Sequence, residues 1–413
     1  MASSTRRHLL TNGATVALAQ VVSIGFIFAQ NVVLARMLGL EDFGLFQLLF
    51  TIGSLALVFG RPGAITVISK GVLKGYDAII VPEMRRSLHS GALWAGVALL
   101  SAAVAALAGF AYAAAIALVV AGFTVLASLE KFDAVLQAKQ AWWASRSLVV
   151  GQAAITCGCS GAVAWATRSP WWTLLSILVV RFVVLIIGWV AVRRLMNTCP
   201  IEPQRETELR HEGTAYTRIA WLNQIADHIG RLVLGMIDPT LLAVYSVGAI
   251  IPRRIVDNAK LVMAVPIVHL GRSTAADNLR VLVRWFPLSI AAGVLAAVLL
   301  SVSAPFLIPW LYGPDYHDAV WISQALSLTL ITAFSGTLIL SYDINQVDGR
   351  FFRRQRIWRL SSWIALSVLL VSLFQVRGAV IAQVLVEAVF GVNTLLYLAR
   401  TWKNRQRAEA GIQ

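Results

Sequence analysis

The sequence predicts an all-α polytopic membrane protein with about 12 transmembrane helices, arranged as two six-helix lobes around a central cationic cavity. Of its 413 residues, 58% are hydrophobic and only 13% are charged, and the mean hydropathy is +0.74. Apolar blocks of about 20 residues recur along the whole chain, and each is long enough to cross a bilayer as a helix. A soluble enzyme, a disordered chain and a disulfide-rich secreted domain are excluded, because charge and cysteine content fit none of them.

Apolar blocks and turn signals divide the chain into twelve helices. Helices 1 to 6 are expected at about 11–35, 44–70, 88–108, 112–129, 145–166 and 171–192, and helices 7 to 12 at about 218–237, 241–268, 281–304, 319–342, 357–375 and 378–399. Residues 193–217 form the only long polar segment. The predicted domains are therefore an N-terminal lobe (1–192), a cytoplasmic linker (193–217), a C-terminal lobe (218–399) and a cytoplasmic tail (400–413).

The distribution of basic residues predicts the orientation. With the amino terminus inside, the cytoplasmic segments hold 26 Lys or Arg, and the opposite side holds three, Arg36, Arg168 and Arg377. Because cytoplasmic loops retain basic residues, both termini are expected on the cytoplasmic side of the membrane. The net charge of +15 is then explained by the Lys and Arg residues retained on the cytoplasmic side. No nucleic-acid partner is therefore expected. The basic segment 350–356 is expected to lie near anionic membrane lipids.

Six basic residues fall inside predicted helices and outside the cytoplasmic segments counted above, and they are the candidate substrate-binding residues. They are Arg61, Arg181, Arg231, Arg253, Arg254 and Lys260. A lipid-facing Arg at the bilayer centre costs about 2.5–3.5 kcal/mol, so most of these side chains must face the protein interior or a hydrated cavity. The clear acidic residues in the helices are only three, Asp227, Asp257 and Glu387. The resulting positive excess suits an anionic substrate.

The spacing of these charges allows two interpretations. Arg253, Asp257 and Lys260 lie at i, i+4 and i+7 on one face of helix 8, and Asp227 and Arg231 lie at i and i+4 on helix 7. Such pairs can neutralise each other and lock helices together. Alternatively, these charged faces of helices 7 and 8 contact the substrate.

Arg61 and Arg181 have no acidic partner within their own helices, which favours a substrate-facing role for both. Pro62 and Gly63 follow Arg61 directly and predict a helix break there. Such breaks recur at the binding sites of transporters.

No metal or cofactor is predicted. The three cysteines show no metal-binding or disulfide pattern, and the absence of a Walker A sequence argues against intrinsic ATP hydrolysis. Energy is expected from H⁺ or Na⁺ coupling or from the membrane potential. The candidate ion-coupling residues are Asp227, His228, Asp257 and Glu387.

Three short segments resemble the polysaccharide and O-antigen flippases of the multidrug/oligosaccharidyl-lipid/polysaccharide exporter superfamily. Residues 34–46 (LARMLGLEDFGLF) look like that family's first external loop, 307–316 (LIPWLYGPDY) like its loop after helix 9, and 377–382 (RGAVIA) like the start of its helix 12. The resemblance implies twelve helices in two lobes. It also implies translocation of an undecaprenyl-pyrophosphate-linked oligosaccharide from the cytoplasmic to the periplasmic leaflet, for exopolysaccharide, capsule or O-antigen synthesis.

The resemblance therefore implies a transporter rather than an enzyme. The partners that it implies for this transporter are the polyprenyl-pyrophosphate-linked glycan, membrane lipids and the polysaccharide polymerase and export machinery. Two alternatives stay open. One is a small-molecule or drug exporter of the same superfamily, which the positive balance of buried charge disfavours for cationic drugs. The other is a membrane-embedded glycan polymerase or ligase, which the short external segments disfavour because such enzymes carry catalytic residues in larger external loops.

Overall fold

The computed structural model describes residues 2–195, 203–262, 275–344 and 350–409, and the regular structure in these ranges is helical. The α-helices there are α1 (Ala2–Ala56), α2 (Gly63–Leu73), α3 (Ile80–Leu107), α4 (Ala111–Leu129), α5 (Phe132–Ala138), α6 (Trp142–Thr167), α7 (Pro170–Arg193), α8 (Pro203–Ile237), α9 (Pro239–Val262), α10 (Ala275–Tyr312), α11 (Ala319–Ser327), α12 (Thr329–Ile344) and α13 (Arg350–Glu409). The predicted all-α class is confirmed.

The described residues contain nine helical runs that are long and apolar enough to cross a membrane. Two of them, Leu18–Gly60 and Ile357–Asn393, have 43 and 37 residues, about twice the length of one crossing. Each is interrupted near its middle, at Gly39 and at Gln375, where φ is 79° and 50°. Each run therefore supplies two crossings. Together with the more polar α8, which contains predicted helix 7, the described helices account for twelve.

The turn at Gly39 reverses the direction of α1. The Gln47 amide Nε2 donates to Asn31 Oδ1 at 3.2 Å, and these two residues are equally far from Gly39 along the chain. The two halves of α1 therefore run antiparallel. Glycine suits this turn because a side chain would strain the backbone at a φ of 79°.

The chain forms two units, Met1–Thr240 and Leu241–Gln413. In the first, α1 packs against α4, α6 and α8, while α3 packs against α4. In the second, α10 packs against α11 and α12, and α12 packs against α13. The boundary falls after α8, and the predicted linker at 193–217 stays a prediction. Residues 203–217 are the first part of α8, which belongs to the first unit because it packs along α1 and α2.

Predicted helix 2 (44–70) is broken after Gly60. A 3₁₀ turn, Leu57–Gly60, follows α1, and α2 begins at Gly63. Pro62 cannot donate a backbone hydrogen bond, and Arg61 takes a left-handed conformation with φ 51° and ψ 71°. Ser87 Oγ and Lys131 Nζ donate to the Gly60 carbonyl at 2.8 and 2.9 Å, so the acceptor freed by the break is satisfied inside the protein.

Because α2 and α8 are in close contact at Gly63, adding one methyl group there is expected to have a large effect on stability. A Cβ added to Gly63 would lie 2.1 Å from the Gly213 carbonyl oxygen and 2.2 Å from Thr217 Oγ1. We expect Gly63→Ala to lower the free energy of unfolding by about 1–3 kcal/mol, because backbone atoms must move apart. Gly96→Ala is the control, since its Cβ would meet nothing within 4 Å. Thermal unfolding of the purified variants tests this: equal melting temperatures would contradict the contact.

Candidate functional site

The two units divide the candidate residues equally. The first unit contains Arg61, Arg181, Arg231, Asp227 and His228, and the second contains Arg253, Arg254, Lys260, Asp257 and Glu387. The side chains of Asp257 and Lys260 lie outside the described part of the structure. The predicted roles of these two residues stay predictions.

Arg61 lies at the end of a membrane crossing rather than in its middle. The apolar run that begins at the Gly39 turn ends at Gly60, and 21 helical residues rise about 31 Å, close to the full hydrocarbon thickness. The charge pattern predicts that this is the cytoplasmic end. The sequence suggested a deeper position because helix 2 was expected to continue to residue 70. The half-buried Arg61 side chain forms no ion pair with another described residue.

Arg181 lies near the middle of α7. It lies about 16 Å along α7 from Pro170 and about 18 Å from Arg193, taking 1.5 Å per residue. It follows the buried Ile177 by one turn and precedes the buried Leu185 by one turn, so it lies on the inward face of α7. No described carboxylate pairs with it. The predicted substrate-facing role of Arg181 stays a prediction.

The polar face of α8 lies against α1. Gln224 Nε2 donates to the Ser54 carbonyl oxygen at 2.7 Å, which brings this face onto the second half of α1. His228 and Arg231 follow Gln224 by one and two turns, and His228 is 8% exposed. Asp227, His228 and Arg231 each interact with other residues. These interactions are compatible with both interpretations of the charged residues of predicted helix 7. The residues can lock helices together, or they can contact the substrate.

Arg253 and Arg254 are half-buried on α9, directly after Pro252. On the same helix, Ile251 and Ile255 pack with the cluster that contains Leu330 of α12. Both arginines interact with other residues. The α9 helix is also tied to α13, since Tyr245 Oη donates to Gln383 Oε1 at 3.0 Å.

Glu387 forms an ion pair with Arg359. The Glu387 and Arg359 side chains are 12% and 28% exposed. The Arg359 guanidinium also lies 4.5 Å from the centre of the Phe390 ring, a distance typical of a cation–π contact. This ion pair therefore joins the two halves of α13, and one of its members, Glu387, is a candidate ion-coupling residue.

This pair predicts strong non-additivity between two substitutions. Arg359→Met or Glu387→Leu alone is expected to lower the free energy of unfolding by about 3 kcal/mol, because each leaves the other charge buried without its partner. The double variant should recover most of that loss. A double-mutant cycle on the unfolding of the purified protein measures the coupling; additive effects would show that the pair contributes nothing.

A second group of charges joins α3 to α8 at the same end of the first unit as Arg61. We call Glu83, Arg86, Glu206 and Arg210 the ion cluster. Arg86 Nη1 lies 2.6 Å from Glu83 Oε1, Arg86 Nη2 lies 3.8 Å from Glu206 Oε1, and Arg210 Nε lies 3.7 Å from Glu83 Oε1. Arg210 Nη2 also pairs with Glu206 Oε1.

Sequence reasoning missed the ion cluster because it counted both arginines as cytoplasmic loop charges. The available signal was the i, i+3 spacing of Glu83 and Arg86 and the i, i+4 spacing of Glu206 and Arg210. Partial burial, and repulsion from Arg86 and Arg61, lower the pKa of Arg210, while Glu83 raises it.

Solved transporter structures share this fold. A multidrug resistance MATE family transporter of the MOP superfamily in the inward-facing conformation aligns with a TM-score of 0.66 at 13% identity, over 94% of this chain and 99% of that chain. An outward-facing structure of such a transporter aligns with a TM-score of 0.68 at 13% identity, over 96% of each chain. A MOP superfamily transporter from Pyrococcus furiosus, described as having a binding pocket of reverse polarity that suggests a different function, aligns with a TM-score of 0.62 at 12% identity, over 94% and 95%.

No protein-family model matches the sequence, and no curated protein matches it. The protein is therefore a multi-pass membrane protein with the fold of the MATE transporters of the MOP superfamily. At 12–14% identity, these neighbours show the fold alone.

Proposed function

We propose that the protein is a transporter, that it exports an amphiphile with an anionic headgroup, and that this substrate is a polyprenyl-pyrophosphate-linked oligosaccharide. The observation that carries the proposal is Arg181, a cation at mid-span on the inward face of α7 without an ion pair among the described residues. A charge in that position is costly unless an anion binds it. The substrate headgroup would supply this anion.

The chemistry of a lipid pyrophosphate fits arginine. Its phosphate oxygens accept paired hydrogen bonds from the planar guanidinium, and each pair is stronger than a bond between neutral groups. The other substrate-binding candidates, Arg61, Arg231, Arg253, Arg254 and Lys260, would share this role. An inside-negative potential of 100 mV would favour outward movement of a dianion by about 5 kcal/mol, at about 2.3 kcal/mol per charge.

Reset of the transporter would use H⁺ or Na⁺ at Asp227, His228, Asp257 or Glu387, or the membrane potential alone. The protein would lie in the bacterial inner membrane with both termini cytoplasmic. Its product would then be used by a polysaccharide polymerase and export machinery, in exopolysaccharide, capsule or O-antigen synthesis.

A second candidate function is export of small molecules or drugs. The observation that favours it is that solved structures with this fold are multidrug resistance transporters. The Pyrococcus furiosus protein provides a precedent within the superfamily for a pocket polarity that suggests a different function. The cation at Arg181 favours anionic over cationic compounds for either candidate.

Depletion of the protein in its own cell separates the candidates. The assay determines which membrane leaflet holds the polyprenyl-pyrophosphate-linked glycan and, in parallel, how fast the cell expels cationic and anionic dyes. Accumulation of complete glycan units on the cytoplasmic face, with normal dye efflux, is expected. Normal glycan distribution with slowed dye efflux would favour the drug exporter, whereas unpolymerised units outside the cell would favour an enzyme.

A further inference from the structure

Three elements of the first unit bring arginines to one place. Ser87, one turn after Glu83 on α3, donates to the carbonyl of Gly60, which directly precedes Arg61. Gly63 approaches the Gly213 carbonyl on α8, about one turn after Arg210. Gly60 and Gly63, which lie on either side of Arg61, therefore each contact a residue about one turn from a member of the ion cluster.

The ion cluster is built around two bridging oxygens. Glu83 Oε1 contacts both guanidinium groups, Arg86 through Nη1 and Arg210 through Nε. Glu206 Oε1 contacts the Nη2 atoms of the same two arginines. One oxygen between two guanidinium groups is the arrangement that a phosphate oxygen also forms with paired arginines.

The two carboxylates differ in their access to solvent. The Glu83 side chain is 1% exposed, and its Oε2 is buried without a hydrogen bond, so it is a fixed part of the core. The Glu206 side chain is 21% exposed and both arginine side chains are 36% exposed. An anion from solvent or from the membrane surface can therefore reach the side of the arginines that Glu206 occupies.

We propose that Arg86 and Arg210, together with Arg61, form a binding site for a phosphate or pyrophosphate group, in which Glu206 occupies the position of the anion until the anion displaces it. Glu83 stays in place and orients both guanidinium groups. With Glu206 displaced, three arginines and Glu83 leave two positive charges, which a pyrophosphate dianion balances. The site lies at the end of the first unit that the charge pattern predicts to be cytoplasmic.

This inference deepens the proposed function, since it adds a first contact for the substrate headgroup before it reaches Arg181. Its physical basis is exchange of one anion for another at the same two guanidinium groups. Removal of the internal carboxylate should therefore strengthen binding of an external anion, whereas a purely structural ion cluster would be weakened by the same change. The two interpretations predict opposite results for one substitution.

The test measures binding of inorganic pyrophosphate to the full-length protein in phosphatidylcholine nanodiscs by calorimetry at low salt. Glu206→Gln is expected to raise the affinity about tenfold, because the competing charge is removed at nearly constant shape. Arg210→Gln and Arg86→Gln are each expected to lower it at least tenfold. Asp133→Asn is the matched control, because Asp133 pairs with Arg146 at 3.3 Å in the same unit and should leave the affinity unchanged.

Two further arms identify the source of the phosphate group. One uses a polyprenyl pyrophosphate in the nanodisc, and the other replaces part of the phosphatidylcholine by phosphatidylglycerol. Competition by polyprenyl pyrophosphate alone would support a lipid-linked substrate. Equal competition by phosphatidylglycerol would support a site for ordinary anionic headgroups, and no competition by either lipid would support free pyrophosphate.

Unchanged or weaker pyrophosphate binding in Glu206→Gln would overturn the site, provided that thermal unfolding shows the variant to be folded. If either arginine variant fails to fold, the other arginine variant and Glu206→Gln still decide the result. Failure of the proposed function is distinguishable, because a normal leaflet distribution of glycan after depletion contradicts export without altering these affinities. Conversely, a leaflet defect with unchanged affinities would contradict only this site.

Discussion

Replacing Arg61 by Gly is expected to abolish export while leaving the protein at least as stable as before. Arg61 has a left-handed backbone with φ 51°, a conformation that costs an L-residue about 1–2 kcal/mol and glycine almost nothing. The substitution therefore removes the cation without introducing backbone strain. Export and the melting temperature of the purified variant are the two measurements, and loss of export should accompany an unchanged or higher melting temperature.

Arg168→Gly is the matched control for this prediction. Arg168 also has a left-handed backbone, with φ 48° and ψ 27°, at the end of α6. The charge pattern predicts that Arg168 lies on the opposite side of the membrane from Arg61. Arg168 would therefore take no part in loading the headgroup from the cytoplasmic side. This variant should gain the same backbone relief and keep normal export. Normal export in Arg61→Gly would remove Arg61 from the mechanism.

Replacing Arg181 by Leu is expected to abolish export and to raise the free energy of unfolding by about 2–3 kcal/mol. The position lies on the inward face of α7 at mid-span, with the buried Ile177 and Leu185 one turn away on either side. The free-energy cost of an Arg there exceeds that of a Leu by about 3 kcal/mol on insertion scales, so Leu should improve folding if no anion is bound. A gain in stability with a loss of activity is typical of a binding residue.

Arg181→Lys is the companion variant, because it keeps the charge and loses the planar fork that binds phosphate at two points. It should retain partial export and show no large gain in stability. Thermal unfolding and leaflet assays on both variants provide the comparison. A destabilised Arg181→Leu protein would instead show that Arg181 is a structural residue with a partner in the folded state.

The twelve helices could be predicted because their signals are local. An apolar block of about 20 residues specifies a crossing by its own length, and glycine at 39 marks the turn between two such blocks. The break after Gly60 was also signalled, by Pro62 and Gly63. Its position along the crossing was not, because it depends on Ser87 and Lys131, which satisfy the Gly60 carbonyl from distant helices.

The charge pairs could be predicted only in part, because most of them join residues far apart in sequence. Spacing alone suggested pairs within helices, such as Asp227 with Arg231. The pairs of Glu83 with Arg210 and of Arg359 with Glu387 depend on how α3 meets α8 and how the halves of α13 meet. The sequence therefore allowed a basic residue near a helix end to be counted only in the charge distribution that predicts membrane orientation. In the structure, such a residue also forms ion pairs between helices.

The central claim, export of an amphiphile with a pyrophosphate headgroup, is tested most directly in liposomes that contain only the purified protein. A polyprenyl-pyrophosphate-linked glycan is placed in one leaflet, a potential is imposed, and its appearance in the other leaflet is measured over time. We predict transfer that follows the potential and is lost in Arg181→Leu. Absence of glycan transfer from liposomes that transport a cationic drug, or equal transfer by wild type and Arg181→Leu, would contradict it.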